Sequence, residues 1–167
     1  MIPAIRPERA LDAAAIRAVL KAAFGGAAEA ELVERLRADN DLVLALVAVD
    51  ADGPVGHLAF PRLTVATSDG EVAAVGLAPL AVAPAHQRRG IGSALARTGL
   101  DMLAASRETL VFVLGEPDYY ARFGFDAAAG ADYSSTYAGP YFMALRLAAH
   151  APRRGAVRYP QAFARLG

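Results

Sequence analysis

Between positions 80 and 93 the chain reads Leu80-Ala81-Val82-Ala83-Pro84-Ala85-His86-Gln87-Arg88-Arg89-Gly90-Ile91-Gly92-Ser93. An apolar, strand-like run passes through a proline into a glycine-bearing loop and on into an amphipathic helix. Glycines at 90 and 92 remove side chains where a backbone must come close to a ligand, and the start of the helix leaves several N–H groups without intrahelical acceptors. Such a turn can cradle an anion. The helix N-terminus adds partial positive charge, worth roughly 0.3–1 kcal/mol per anion and up to about 2 kcal/mol when partly buried. Arg88 and Arg89 could supply charge-assisted hydrogen bonds on top of that. The same residues are also compatible with a plain structural turn, the glycines closing it and both arginines lying in solvent. A nucleotide P-loop requires Gly-x-x-x-x-Gly-Lys-Ser/Thr and a dinucleotide fold Gly-x-Gly-x-x-Gly; this segment has neither, so a different phosphate ligand is indicated.

Few other side chains offer chemistry. The sequence has no cysteine, which excludes a disulfide framework, a thiolate nucleophile and a Cys-based metal site. Its histidines, His57, His86 and His150, are scattered without the close helical spacing of a zinc motif, so no metal is expected. The 17 basic residues balance 17 acidic ones, which gives no general electrostatic reason to bind nucleic acid or an anionic membrane. Any charged ligand must be held locally. Lys21 is the only lysine, and the guanidinium groups that make up the remaining positive charge suit phosphate recognition. No signal peptide and no apolar run of membrane-spanning length is legible, so a soluble, cytoplasmic protein is expected.

At 167 residues the chain is expected to form one domain. The patterning predicts a short strand over 2–6, a helix over 12–24 ended by Gly25-Gly26, and a second helix over 27–39. In the latter, Glu29 leads an apolar face of Leu32, Val33 and Leu36. A strand over 42–49, a turn at 50–53, a strand over 54–65 and a turn at 68–70 follow. The run 72–82, the glycine loop, a helix over 90–105 and a buried-type strand over 109–114 read as a right-handed parallel βαβ unit. A short helix is predicted over 117–123, a loop from 126 to 140 and a late strand over 141–147. The tail 148–167 starts as a linker, and Val157, Tyr159 and Phe163 suggest that it packs back on the domain. The expected fold class is α/β (α+β): a mostly antiparallel sheet opening into one splayed parallel pair, with helices on its faces.

The segment Gln87-x-x-Gly90-x-Gly92 after Leu80-Ala81-Val82 resembles the signature of the GNAT acetyltransferases, Gln/Arg-x-x-Gly-x-Gly/Ala. The segment Tyr120-Ala121-Arg122-Phe123-Gly124-Phe125 is similar to that family's Tyr-x-x-x-Gly-Phe closing segment. Two further stretches, Glu29 to Arg37 and Tyr159-Pro160-x-x-Phe163, look like the YhbS-like branch of predicted bacterial acetyltransferases. The resemblance spans almost the whole chain.

It implies that acetyl-CoA is the cosubstrate, bound by Leu80, Ala81, Val82, Gln87, Arg88, Arg89, Gly90, Ile91, Gly92 and Ser93. The loop would hold the diphosphate, and the backbone at 80–82 would pair with the pantetheine arm where the sheet splays. A backbone N–H near Val82 would stabilise the oxyanion of the attacked thioester, a donor whose loss typically costs roughly 100- to 1,000-fold in rate. Tyr120 occupies the position at which many relatives keep a tyrosine that protonates the departing thiolate, a contribution of about 100- to 10,000-fold. Tyr119 reads instead as an aromatic covering the core.

The acceptor amine must lose a proton before attack. Glu29 is the candidate base, because desolvation on an apolar helix face strengthens a carboxylate as a proton acceptor. It is equally explained as a carboxylate at a helix start, and a water relay could replace it. Glu116 could cap the helix beginning at Pro117, while His57 and His86 read as a strand residue and a loop residue without chemistry. Asp126, Asp132, Tyr133, Ser134, Ser135, Thr136 and Tyr137 are candidates to border the acceptor pocket. A small amine, a polyamine, an aminoglycoside, a peptide N-terminus and a lysine all remain open as acceptors. Homodimers are common among relatives of this kind. A non-catalytic acyl-CoA-binding module and an interaction protein with a purely structural glycine loop are the competing readings.

Overall fold

A computed structural model describes residues 3–166. In chain order the elements are β1 (Ala4–Pro7), α1 (Ala13–Phe24), α2 (Ala28–Ala38), β2 (Leu42–Asp50), β3 (Gly53–Thr67), β4 (Gly70–Leu77) and β5 (Leu80–Val82). They continue with α3 (Ile91–Ala105), β6 (Leu110–Leu114), α4 (Pro117–Tyr120), α5 (Ala127–Gly130), β7 (Tyr133–Ser134), β8 (Phe142–Arg146) and β9 (Gly155–Arg158). Short 3-10 turns precede α1 at Ala10–Asp12 and end the described chain at Gln161–Leu166. Ile2, expected to open the first strand, lies outside the described residues.

The sheet runs β1-β2-β3-β4-β6-β8. All neighbours on this path are antiparallel except β4 and β6, which are parallel over Val75–Leu77 and Val111–Val113. Strand alternation sorts its side chains between two layers. Leu46, Ala48, Leu58 and Phe60 pack under Ile91, Leu95 and Leu103 of α3. Val47, Ala59 and Ala81 face Ile16, Val19 and Leu20 of α1 together with Val33 of α2. Helix α3 sits so close that a Cβ at Gly99 would stand 2.3 Å from the Phe60 ring.

Local chemistry explains the element ends. Asp12 accepts from the Arg9 N–H at 2.7 Å and pairs with Arg6 at 2.7 Å. That contact tightens the predicted helix start into a 3-10 turn. Gly25 closes α1 in the left-handed region at φ 77°, its N–H donating to the Lys21 carbonyl at 2.9 Å.

Two departures from the expected elements matter for the site. The run 72–82 is two strands, not one. The Ala78 N–H donates to the Ala59 carbonyl at 3.0 Å, while the Ala59 N–H donates to the Pro79 carbonyl at 3.2 Å. Two residues thus oppose one, which is a β-bulge that bends the strand. The expected 126–140 loop contains α5, capped by Asp126 accepting from the Ala128 N–H at 3.0 Å, and the two-residue β7, which runs parallel to β9. Strand β9 pairs antiparallel with Thr64–Ala66 of β3, and Ala162 and Phe163 pack on Leu32 and Leu36 of α2.

Candidate functional site

The bulge splits the sheet. Below it β4 is paired with β6; above it β5 stays on β3 and pairs with no residue of β6. Hydrogen-bonded and non-hydrogen-bonded positions alternate along an antiparallel pair. The Ala59 N–H reaches the Pro79 carbonyl and the Ala83 N–H reaches the Val55 carbonyl at 2.8 Å. Residues 79, 81 and 83 therefore aim their backbone groups at β3. Leu80 and Val82 aim theirs into the gap facing β6. Gln87 Nε2 donates to the Val82 carbonyl at 3.0 Å, which ties the loop to this strand. The Leu80 N–H and carbonyl and the Val82 N–H have no partner among the described residues.

The glycine loop meets that edge. Arg88 and Gly90 both take left-handed backbone, at φ 64° and 82°, turning the chain into α3. After the Gln87 N–H, which donates to the Pro84 carbonyl, the next amide with an acceptor is that of Ala94, bonded to the Gly90 carbonyl at 3.0 Å. The amides of residues 88–93 are free among the described residues, as the start of a helix dictates. They open on a cleft of about 440 Å³ whose lining includes Leu80, Val82, Gln87, Gly92, Ser93 and Tyr119. His86, Arg88 and Arg122 also line it, and among the described residues no carboxylate does. A Cβ at Gly92 would stand 3.2 Å from the Tyr119 hydroxyl, so the glycine keeps the floor clear.

A second cavity, of about 310 Å³, lies beyond Leu80, which lines both. Here the bulge residues Ala78 and Pro79, the exposed end of β6 at Leu114, the first turn of α2 with Glu29, and Tyr120 come together. Tyr120 lies against Phe125 and Tyr119 at ring separations of 5.9 and 4.9 Å. Burial pushes its hydroxyl up to about 12, with Tyr119 acting in the same direction. That hydroxyl makes no hydrogen bond among the described residues, yet it is not one of the unpaired polar atoms sealed from solvent. Glu29 is half-buried and makes no hydrogen bond or ion pair among the described residues. Glu29 and Tyr120, far apart in sequence, thus share one cavity.

Other expected site residues fall elsewhere. The Ala81 side chain is buried under α1 and its backbone faces β3, and Arg89 does not line the loop cleft. Tyr119, expected to cover the core, lines that cleft instead; its hydroxyl is 3.3 Å from Ser93 Oγ and the Arg122 guanidinium lies 4.7 Å from its ring centroid. Tyr120 is the one that packs on the core. Of the polar loop, only Tyr137 reaches the second cavity. Tyr133 is buried against Phe112, its hydroxyl donating to the Pro152 carbonyl, while Asp132 and Ser134 line a wide groove at the opposite end of the sheet. The Glu116 side chain makes no cap.

Sequence reasoning did not single out Phe24, Phe112 and Arg122 as lining residues. Tyr159 and Phe163, which the sequence marks only as apolar residues of the tail, are cavity walls together with Tyr137. Only the tertiary return of the tail brings them in. His57, a residue of β3 as expected, takes part in a buried ion-paired contact. It is fully buried, and its Nε2 lies 2.8 Å from Glu8, which also accepts from Arg37 at 2.7 Å. Burial pushes the Glu8 carboxyl up, but the bonds from His57 and Arg37 outweigh it and hold it at about 2. Among the described residues no group of three or more His, Asp or Glu comes together as a metal site, and no helix is long and apolar enough to cross a membrane.

Known proteins resemble this chain in sequence and fold. The family model of the acetyltransferase (GNAT) domain matches residues 4–128. The uncharacterized N-acetyltransferase YhbS of Escherichia coli K12 is 41% identical over 136 residues, which cover 81% of this chain and 80% of that one. YjhQ of the same strain, also an uncharacterized N-acetyltransferase, is 40% identical over 132 residues, covering 78% of this chain and 71% of YjhQ. Among solved structures, E. coli YhbS in complex with CoA matches with a TM-score of 0.91 at 37% identity, covering 100% of this chain and 94% of that chain. A GNAT family acetyltransferase from Brucella melitensis in complex with acetyl-CoA matches with a TM-score of 0.82 at 38% identity, covering 96% and 97%.

Proposed function

This chain belongs to the GNAT acetyltransferase family, and on that premise we propose that it moves an acetyl group from acetyl-CoA to the primary amine of an acceptor by direct attack in a ternary complex. One observation carries the reading: the cationic glycine-loop cleft and the cavity holding Glu29 and Tyr120 meet at Leu80, on a strand edge with unpaired backbone groups. The residues fit the cosubstrate. Free amides at 88–93, a floor cleared at Gly92 and the Arg88 and Arg122 side chains suit a diphosphate. The related E. coli and Brucella structures, which hold CoA and acetyl-CoA, support the same assignment.

The Leu80 edge orients the thioester arm as an added strand, and the Val82 N–H donates to the carbonyl oxygen as charge develops on it. Glu29 receives the first proton of the ammonium and passes it to solvent, which frees the nitrogen lone pair. A C–N bond forms and the C–S bond breaks. Tyr120, held at about 12, keeps its proton through the neutral range and donates a hydrogen bond to the departing sulfur. A thiol near roughly 8.5 is the stronger acid of the two, so the phenol retains its proton at equilibrium. The second proton lost by nitrogen restores the thiol through solvent. Tyr120 therefore acts by stabilising developing charge.

The test is acetyl-CoA-dependent thiol release over a panel of amines, with Tyr120→Phe alongside. Tight acetyl-CoA binding, no turnover on any amine and no effect of Tyr120→Phe would favour a non-catalytic acyl-CoA-binding module instead. The open hydroxyl of Tyr120 in the cavity argues for the enzyme.

A further inference from the structure

Charge is segregated along the site. The loop cleft is lined by the Arg88 and Arg122 guanidinium groups and by His86, whose Nε2 is held 3.1 Å from Asp50, with no carboxylate among the described lining residues, whereas Glu29 is the single charged side chain of the described residues that line the second cavity. The walls around Glu29 are aromatic: Phe24, Phe112, Tyr120, Tyr137, Tyr159 and Phe163. Tyr137 and Tyr159 stand edge to face at 4.8 Å, and Tyr159 contacts Phe163 at 5.1 Å. The hydroxyls of Tyr137 and Tyr159 have no hydrogen-bond partner among the described residues, yet neither is sealed from solvent. They are polar points on an otherwise apolar wall. At about 310 Å³ the space is small, near the lower end of the roughly 300–1,000 Å³ usual for ligand pockets.

We propose that the acceptor is a primary arylalkylamine: one cationic nitrogen on a compact aromatic body, with no acidic group and no second cation. This rests on reading the second cavity as the acceptor side of an acetyl transfer. One carboxylate neutralises one ammonium, and aromatic faces attract the same cation while packing against the ring. A carboxylate or phosphate on the acceptor would be buried beside Glu29 with no arginine, lysine or histidine in the lining to pair it. A polyamine or aminoglycoside would bring ammonium groups for which the lining has no further carboxylate. A peptide lysine would fill the same space with a flexible chain and leave the aromatic walls without a planar partner.

The experiment has two arms on the full chain. Calorimetry first measures acetyl-CoA binding; thiol release then compares 2-phenylethylamine with phenylalanine, spermidine, kanamycin and a lysine-bearing peptide. The expected result is a kcat/KM for 2-phenylethylamine at least about tenfold above each of the others. Glu29→Gln should lower that kcat/KM while leaving acetyl-CoA affinity within about twofold, since uniform losses and step-specific ones separate in this way. Tyr159→Leu should raise KM for 2-phenylethylamine more than it lowers kcat. Equal or better turnover of any other member of the panel overturns the proposal, as does binding of acetyl-CoA with no turnover of 2-phenylethylamine. Failure to bind acetyl-CoA would instead bring down the reading beneath it.

Discussion

The ring of Tyr120 occupies the space that a side chain at Gly115 would need. A Cβ built there would stand 2.5 Å from Tyr120 Cε2. The glycine at the end of β6 therefore sets where the phenol rests, and no other residue type can replace it without moving that ring.

Gly115→Ala should displace the hydroxyl without touching the loop cleft. We expect kcat to fall about 10- to 100-fold, the usual cost of a misplaced catalytic group, with acetyl-CoA affinity within about twofold by calorimetry. A kcat equal to wild type would show that the position of Tyr120 is not rate-determining.

Tyr120→Phe should lower kcat by about 100- to 1,000-fold, the cost of losing a preorganised donor, and leave the melting temperature close to wild type. The pH profile carries a sign. In the proposed role Tyr120 acts in its protonated form, and burial raises it to about 12, so its contribution should persist as pH rises and be lost only on approach to that value. No alkaline decline of kcat below about pH 10 should trace to this group. A decline near pH 8 that vanished in Tyr120→Phe would contradict the assignment.

Gly92→Val places branched carbon beside the Tyr119 hydroxyl and the Leu80 and Val82 side chains, where the loop floor is now clear. Acetyl-CoA should bind at least about tenfold more weakly, equivalent to about 1.4 kcal/mol, with far-UV circular dichroism unchanged. Unaltered affinity in a folded variant would mean that the diphosphate sits elsewhere.

Glu8 links β1 to α2 and to the buried His57. Its folded value of about 2 lies below the ordinary 4.5, so the stability it contributes is present above pH 4.5 and lost as pH falls from there toward 2. Glu8→Ala should cost roughly 1–3 kcal/mol at pH 7, because the Arg37 and His57 donors lose their acceptor. In urea melts the gap to wild type should narrow below pH 4. A constant gap down to pH 2 would rule out the ionised carboxylate as its source.

Much of the frame is legible in residue order because the forces behind it are local. The apolar face of 28–38, the glycine stop at Gly25 and the turn at 50–53 each follow from spacing or backbone permissiveness within a few residues. The glycine loop announces itself for the same reason: a helix start bares its amides whatever surrounds it.

What order along the chain could not settle was pairing. Whether Val72–Val82 is one strand or two depends on Ala59 accepting from Ala78 while donating to Pro79. That contact spans about twenty positions and opens the gap beside Leu80. Whether Tyr119 or Tyr120 meets the core turned on which side of a single short helical turn faced Phe125. Tyr159 and Phe163 became cavity walls only because β9 docks on β3 and carries them back to α2. Local propensity writes the elements and the glycine turn; long-range strand pairing, whose partners are distant in sequence, decides the cavity that Glu29 and Tyr120 share.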